Sequence, residues 1–313
     1  MKRMTAVTGE QFDLSLETSS GGIVEATITQ VAAGIRRLSV HGIDIVPPYD
    51  ANVQRPYGSG MVLVPWPNRI RDGKWMLNGQ EQQLALTEPK KNNASHGLLR
   101  FAPYSVAART ESTLKLEARV FPQSGYPFLL DTAVTYRLVD AGVEVTHSIT
   151  NLSDASAPVA IGAHPYFTIG DVEPEDLTVT VHVTTRIEID DRSLPTGEKT
   201  PIEQTPFDLR KGVRLGDLDI DAGFSGARIV DGVSEHFVTA PDGRSVTVWG
   251  DENFRYWQVF TNEVYPGQSK VVAIEPMTAP ADAFNSGQDL RWLKPGETWE
   301  ASWGVRADGF APV

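Results

Sequence analysis

One histidine and one glutamate, far apart in the sequence, occupy segments that are suited to acid–base chemistry. His164 follows an apolar run and precedes a proline and two aromatic residues. An imidazole beside a flat apolar wall can titrate near neutrality. Glu275 closes an apolar run of four residues, where burying its charge is expensive unless the side chain points into a cleft. The alternatives are a core histidine bonded to a backbone carbonyl and an outward carboxylate at a strand edge.

Three further segments place polar side chains among glycine, proline and aromatic residues. Asn68 and Arg69 follow a proline and precede a turn. They offer rigid donors suited to sugar hydroxyls, and a solvated surface turn is the alternative. His96 precedes Gly97, which permits close approach of the backbone to a ligand, although a lone loop histidine is commonly structural. Asp221 opens an Asp-Ala-Gly turn pattern, so its functional signal is weaker.

The composition excludes several other chemistries. The chain has no cysteine, which removes disulfides, thiolate metal sites and cysteine nucleophiles. The six histidines show no HExxH pattern or other metal-binding spacing, and there is no GxSxG, P-loop or GxGxxG motif. A formal charge of −12 disfavours nucleic acid and anionic membranes as partners. A neutral small molecule is therefore the expected ligand, with no catalytic zinc.

The elements that must position these residues are predicted to be strands. Alternation of apolar and polar residues with many β-branched side chains marks residues 114–120, 143–149, 177–183 and 245–249. Residues 236–238, followed by a Pro-Asp-Gly turn and then 245–249, predict a hairpin. Convincing helical periodicity is missing. This pattern predicts an all-β protein, a large antiparallel β-sandwich, with residues 1–313 forming a single domain.

The chain also lacks the usual signals for export or membrane insertion. Two basic residues near the N-terminus are not followed by an apolar segment, so no signal peptide is predicted. No apolar run reaches the roughly 18 residues needed to span a bilayer. We therefore expect a cytoplasmic protein that does not associate with membranes.

Five segments in this order resemble the aldose 1-epimerase family, also called the galactose mutarotases. They are PNRI at residues 67–70, NNASHGLLRF at 92–101, AHPYF at 163–167, DAGF at 221–224 and the segment around Glu275. Residues 293–297 also look like the entry to the family's C-terminal strand. The resemblance covers nearly the whole chain, and it rests on the order of the motifs because each is weak alone.

The resemblance implies a galactose mutarotase-like β-sandwich with an open sugar-binding cleft. By this resemblance Glu275 is the general base and His164 the general acid. The other expected site residues bind the sugar, and they are Asn68, Arg69, His96, Asp221 and Gln258. No cofactor or metal is implied, because opening and closing a sugar ring involves no redox step. The family often has Asn after HPYF, whereas this chain has Thr168, so a contact from that position is not carried over.

The implied activity is interconversion of the α and β anomers of a free aldohexose such as glucose or galactose, by a monomer or homodimer. A hexose-6-phosphate 1-epimerase is the nearest alternative, since Arg71, Lys74, Lys90 and Lys91 lie near the site in sequence. A non-catalytic sugar-binding β-sandwich is a second alternative. A glycosidase that pairs Glu275 with Asp221 is a third, although it leaves the histidine without a role.

Overall fold

Strands occupy about half of the chain in the computed structural model, which describes residues 6–312. In the first half they are β1 (Gln11–Glu17), β2 (Ile23–Thr29), β3 (Ile35–Val40), β4 (Ile43–Val46), β5 (Val62–Leu63), β6 (Arg69–Arg71), β7 (Lys74–Leu77), β8 (Gln80–Gln83), β9 (Asn93–Ser95), β10 (Ser105–Arg109), β11 (Thr113–Val120), β12 (Leu130–Val139), β13 (Gly142–Asn151) and β14 (Ala157–Val159). In the second half they are β15 (Gly162–Ala163), β16 (Tyr166–Phe167), β17 (Thr178–Val181), β18 (Thr185–Ile189), β19 (Pro195–Pro201), β20 (Val213–Arg214), β21 (Asp221–Ser225), β22 (Ile229–Val230), β23 (Val233–Thr239), β24 (Ser245–Asp251), β25 (Tyr256–Asn262), β26 (Val271–Met277), β27 (Arg291–Leu293) and β28 (Thr298–Asp308).

Helical structure is confined to short pieces. Within residues 6–312 there is one α-helix of four residues, α1 (Ala283–Ser286). Four 3₁₀ turns are Pro56–Gly58, Pro89–Lys91, Pro174–Asp176 and Leu215–Asp217. None of these helices has the length and apolar character that crossing a bilayer requires.

The strands assemble into antiparallel sheets. The largest has ten strands in the order β10-β11-β12-β13-β28-β24-β23-β17-β20, with β22 paired to β23. The second has eight strands in the order β19-β18-β21-β25-β26-β15-β5, with β16 paired to β26. A four-stranded sheet (β1 to β4) and three two-stranded sheets complete the architecture. One apolar cluster contains residues of the three larger sheets, for example Leu14, Leu116 and Val259, so these sheets pack on a shared core. The predicted all-β antiparallel sandwich is confirmed.

Alternating patterns in the sequence correspond to strands with one face on that core. The segment 143–149 lies within β13, and 114–120 lies within β11. The predicted hairpin is formed by β23 and β24, with Thr239 opposite Ser245. The segment 177–183 was predicted as seven residues of strand, but β17 covers only Thr178–Val181. The backbone amide of His182 instead donates to the His236 Nδ1 atom at 3.0 Å, which draws the chain away from the ladder.

One strand differs from the alternating pattern and decides where the site lies. All seven residues of β26 are buried, as expected for a strand that is covered on both faces. It lies between β25 and the short strands β15 and β16 in the eight-stranded sheet. A glutamate in such a strand cannot turn to open solvent, so the fold places Glu275 in the interior of the protein.

Candidate active site

His164 and Glu275 meet inside the protein. His164 lies between β15 and β16, both of which pair with β26, the strand that carries Glu275. The imidazole Nε2 is 3.5 Å from the Glu275 Oε1 atom. The two residues are 7% and 3% exposed, so both ionisable groups are largely withdrawn from water. The structure therefore brings together two side chains that are more than a hundred residues apart in sequence.

Strand register adds two more polar side chains to this pair. Gln258 on β25 lies directly opposite Glu275, and Gly223 on β21 lies opposite Gln258. Asp221 is two residues before Gly223 and therefore projects from the same face of the sheet. The Gln258 Nε2 atom donates to the Asp221 Oδ1 atom at 2.6 Å. A Cβ at Gly223 would lie 3.1 Å from the Gln258 Oε1 atom, so glycine leaves room for the amide.

A separate two-stranded sheet supplies Arg69, and Asn68 directly precedes its first strand. β6 pairs with β9, and Arg69 lies opposite Ser95, next to His96. The Asn68 Nδ2 atom is 3.4 Å from the Gln258 Oε1 atom, and this links the small sheet to the row on β25. The Arg69 guanidinium donates to both carboxylate oxygens of Glu88, at 2.7 and 3.1 Å. This bidentate pairing fixes the plane of the guanidinium.

His96 completes the group through an unusual backbone conformation. Its φ of 62° is left-handed, as is the φ of 71° at Gly97. A Cβ at Gly97 would lie 1.9 Å from the Val64 carbonyl oxygen, so this position requires glycine. The His96 amide donates to the Asn68 carbonyl at 2.7 Å, and its ring centroid is 5.7 Å from that of His164, edge to face.

All seven candidate residues line one pocket of about 170 Å³. Its lining consists of Tyr57, Asn68, Arg69, His96, His164, Asp221, Gln258, Phe260 and Glu275. Thr168 is buried and does not line this pocket. Hydrogen-bonding groups dominate the lining and converge on a small volume, which suits a polar ligand of modest size.

Burial shifts the pKa values of the central pair in opposite directions. Desolvation raises the pKa of Glu275 well above its usual value, the charge of Asp221 adds to this, and Arg69 opposes it. Desolvation lowers the pKa of His164 to about 4, with a further contribution from Arg69. Desolvation also lowers the pKa of His96, together with the charges of His164 and Arg69. In the free pocket, burial therefore favours the protonated carboxyl of Glu275 and the neutral imidazole of His164.

Within residues 6–312, two imidazole nitrogens in the site lack a hydrogen-bond partner. They are the Nδ1 atoms of His96 and His164. Buried polar atoms are nearly always satisfied in native proteins, so orphaned atoms at a pocket indicate a polar ligand or ordered water.

Three residues of the site were not found by sequence reasoning. Glu88 pairs with Arg69, while Tyr57 and Phe260 line the pocket. Glu88 lies five residues before Asn93, in a stretch rich in lysine that reads as a solvated loop. Tyr57 and Phe260 carried no motif. The tryptophans, which are the more usual sugar-stacking side chains, do not line this pocket.

Comparison with known proteins finds relatives along nearly the whole chain. A family model described as "Aldose 1-epimerase" matches residues 15–306. The uncharacterized protein YihR of Escherichia coli strain K12 is 31% identical over 281 residues, which are 89% of this chain and 88% of YihR. Human galactose mutarotase is 31% identical over 218 residues, which are 67% of this chain and 63% of the human protein.

Solved structures share the architecture. A galactose mutarotase-like protein from Clostridium acetobutylicum matches with a TM-score of 0.81 at 20% identity, covering 96% of this chain and 99% of the other. The GalM/aldose epimerase homologue from C. elegans matches with a TM-score of 0.81 at 17% identity and the same coverage. These likenesses establish the fold.

Because Glu275 is buried, we expect its ionisable side chain to lower the stability of the folded protein. Its pKa is raised in the folded protein, so folding becomes less favourable as pH rises from the ordinary glutamate range through the raised pKa. Glu275→Gln should therefore raise the Tm by a few degrees Celsius at pH 8 and change it little at pH 4. Differential scanning calorimetry at both pH values measures this.

Glu88 provides a matched control with the opposite sign. Burial tends to raise its pKa, but the hydrogen bonds and charge of Arg69 prevail and lower it, so this carboxylate stabilises the fold above its usual pKa. Glu88→Gln should lower the Tm at pH 8, and the difference should shrink as pH falls. The same sign of effect for both variants at pH 8 would contradict the assignment of Glu275 as a desolvated carboxyl.

Proposed function

The chain belongs to the aldose 1-epimerase family, whose reaction interconverts sugar anomers, and from this premise we propose that it acts on a free aldohexose such as glucose or galactose. In this proposal Glu275 is the general base and His164 is the general acid. The observation that carries it is the 3.5 Å contact between the imidazole Nε2 atom and the carboxyl Oε1 atom. The pocket around that contact is lined mainly by groups that can bind hydroxyls.

The reaction needs proton transfers at two oxygens of one carbon. The base removes the proton of the hydroxyl on C1 while the acid protonates the ring oxygen. The bond between C1 and the ring oxygen breaks, C1 becomes an aldehyde, and the open chain rotates about the C1–C2 bond. Closure with the roles reversed gives the other anomer and restores both protonation states. Because both oxygens are bonded to C1, the acid and base must lie close together, as His164 and Glu275 do.

The proposed pair works with one shared proton. In the free pocket, burial favours the proton on Glu275, and its transfer to His164 produces the ionised base and the charged acid together. The positive charge of Arg69 lowers the pKa of both residues, so it stabilises the ionised Glu275 and opposes the charge on His164. The two residues therefore titrate as a unit.

The remaining polar residues are proposed to hold the sugar. Arg69 can donate to hydroxyls or to the ring oxygen from a plane that Glu88 fixes. Asp221 is exposed and accepts from Gln258, so its carboxylate retains acceptor capacity for a hydroxyl. His96 and Asn68 border the same pocket. Fixing the open-chain intermediate between these groups prevents it from escaping before the ring closes.

A neutral sugar fits the charges better than a phosphorylated one. Arg69 is the only lysine or arginine among the residues that line the pocket within residues 6–312, and it is already paired with Glu88. Arg71 forms ion pairs with Asp190 and Asp282, at 3.1 and 3.6 Å. The three lysines considered for a phosphate, Lys74, Lys90 and Lys91, are not part of the lining. These observations favour the free hexose over the 6-phosphate.

Removing the proposed base should abolish most of the activity. Glu275→Gln keeps the size of the side chain but cannot accept the proton, so kcat should fall by about 10² to 10⁴-fold. Sugar affinity should stay within about tenfold, because the binding groups are untouched. Polarimetry on freshly dissolved α-D-glucose or α-D-galactose, corrected for spontaneous mutarotation, measures the rate.

The matched control is Glu300→Gln, which alters an exposed carboxylate on the ten-stranded sheet. This variant should retain wild-type activity. Mutarotation at the wild-type rate in Glu275→Gln would remove Glu275 from the role of base.

The shared proton predicts a bell-shaped dependence of kcat/KM on pH. Activity should fall below about pH 4, where His164 is protonated and the pair holds two protons. It should also fall as pH rises through the raised pKa of Glu275, where the pair loses its only proton. A rate that only rises with pH, as for a lone carboxylate base, would contradict this arrangement.

The charge of the pocket predicts poor recognition of phosphorylated sugars. Glucose 6-phosphate and galactose are compared as competitors, each at a concentration equal to the KM for glucose. The inhibition of glucose mutarotation by glucose 6-phosphate should be less than half of the inhibition by galactose. The measurement is initial-rate polarimetry with each competitor. Stronger inhibition by the phosphate would favour the hexose-6-phosphate epimerase instead.

A further inference from the structure

Tyr57 places a large, half-exposed aromatic ring in the lining of the candidate pocket. The residue is 51% exposed, whereas the other aromatic residue that lines the pocket, Phe260, is partly buried on β25. A tyrosine at a pocket contributes little to the core, because much of its ring area is still in contact with water. Its position therefore calls for an explanation other than core packing.

The backbone at Tyr57 is in a conformation that bulky residues avoid. Its φ and ψ are 43° and 39°, in the left-handed region. This conformation costs free energy for a residue with a Cβ and persists only where the surrounding structure enforces it. Residues held in this way are concentrated at ligand-binding and active sites.

The loop that carries Tyr57 is clamped onto the proposed acid. The Gly60 amide donates to the His164 carbonyl at 2.7 Å, and the His164 amide donates to the Met61 carbonyl at 3.1 Å. A Cβ at Gly58 would lie 3.3 Å from the His164 Cδ2 atom and 2.7 Å from the Met61 Cε atom. Both glycines have positive φ, so the loop reaches His164 only with glycine at these positions.

Further contacts hold the loop from its other side. The Ser59 hydroxyl is 3.0 Å from the Tyr265 hydroxyl, and the Tyr166 hydroxyl donates to the Tyr57 carbonyl at 3.4 Å. Tyr166 also stacks on the His164 ring, with centroids 5.3 Å apart. The position of Tyr57 is thus fixed relative to His164 by a rigid loop.

Tyr57 has the more exposed of the two aromatic rings in the pocket lining, because Phe260 is partly buried. Seven of its nine lining residues are polar or ionisable side chains that bind hydroxyls, and the other two are Tyr57 and Phe260. A pyranose ring carries hydroxyls around its edge and C–H bonds on its faces, so a site that binds it needs both kinds of surface. Aromatic rings suit the C–H face because they offer rigid contact area at low cost in side-chain entropy.

We propose that Tyr57 is a substrate-binding residue whose ring packs against the C–H face of a pyranose held at Glu275 and His164. This inference rests on the proposed function, since it names how the same pocket recognises the closed ring. Tyr57 acts on binding and not on proton transfer, so its loss appears in KM and leaves kcat nearly unchanged. The contact is made by the ring and not by the phenolic hydroxyl.

Three substitutions at one position separate the ring, the hydroxyl and the backbone. Tyr57→Phe removes only the hydroxyl and should keep KM for galactose within twofold of wild type. Tyr57→Gly and Tyr57→Ala both remove the ring and should raise KM by roughly 5- to 10-fold, with kcat within threefold. Glycine relieves the left-handed strain and alanine retains it, so the Tm of the glycine variant should exceed that of the alanine variant.

Direct binding distinguishes failure of this inference from failure of the proposed function. Isothermal titration of galactose should show the same 5- to 10-fold weakening in Tyr57→Gly without any need for turnover. Galactitol, an acyclic counterpart without a ring face, should bind equally to wild type and to this variant. If the wild type did not catalyse mutarotation, the proposed function would be overturned. The binding of galactose could still be measured in that case, and it would test the role of Tyr57 separately.

Three results would overturn the role of Tyr57 while leaving the proposed function intact. One is a wild-type KM and galactose affinity in Tyr57→Gly in a protein that catalyses mutarotation. A second is a loss of affinity in Tyr57→Phe as large as that in Tyr57→Gly, which would assign the contact to the hydroxyl. The role of Tyr57 would also be contradicted if KM rose in step with the loss of Tm, with a larger change of both in the alanine variant than in the glycine variant. That outcome would indicate a purely structural role.

Discussion

The desolvation of one carboxyl group is the constraint on which the rest of the site depends. Glu275 lies in a strand that is buried along its whole length, so its charge is not stabilised by water. The protein compensates only in part, because Asp221 repels the charge and Arg69 attracts it. The carboxyl of Glu275 therefore binds its proton more strongly than usual. It is in contact with the imidazole of His164, which binds a proton more weakly than usual. Such opposed shifts characterise paired acid and base groups.

The architecture around this pair has two tasks, one of rigidity and one of access. Antiparallel register aligns Gly223, Gln258 and Glu275 on neighbouring strands. Because Gly223 has no side chain, the Gln258 amide has room to reach Asp221. Strands hold Glu275, the proposed base, and the hydrogen-bonding side chain of Gln258, whereas loops supply His164 and Tyr57. The loop residues are nonetheless tightly packed, as the close approach of Gly58 to His164 shows. The site is therefore preorganised without a cofactor in any of the proposed steps.

The arginine in the pocket lining and Arg71 nearby are each paired with carboxylates. Glu88 offsets Arg69, while Asp190 and Asp282 offset Arg71. This leaves a pocket rich in donors and acceptors but with little net attraction for an anion. The chain as a whole is acidic, with a formal charge of −12, which agrees with a neutral ligand in place of a phosphorylated one.

The amino-acid sequence alone determined the fold class and suggested seven of the nine residues that line the pocket. Period-two alternation is local, so the strands and the β23–β24 hairpin were predictable, and ordered motifs identified His164 and Glu275 as candidates. Tertiary structure alone decided that these two side chains are in contact, because the register of β25 with β26 and the closure of β15 onto β26 involve residues distant in sequence. It also revealed Glu88 and Tyr57, whose local sequence resembles that of any polar loop. Their positions follow from a bidentate ion pair and a strained backbone, and both exist only once the chain has folded.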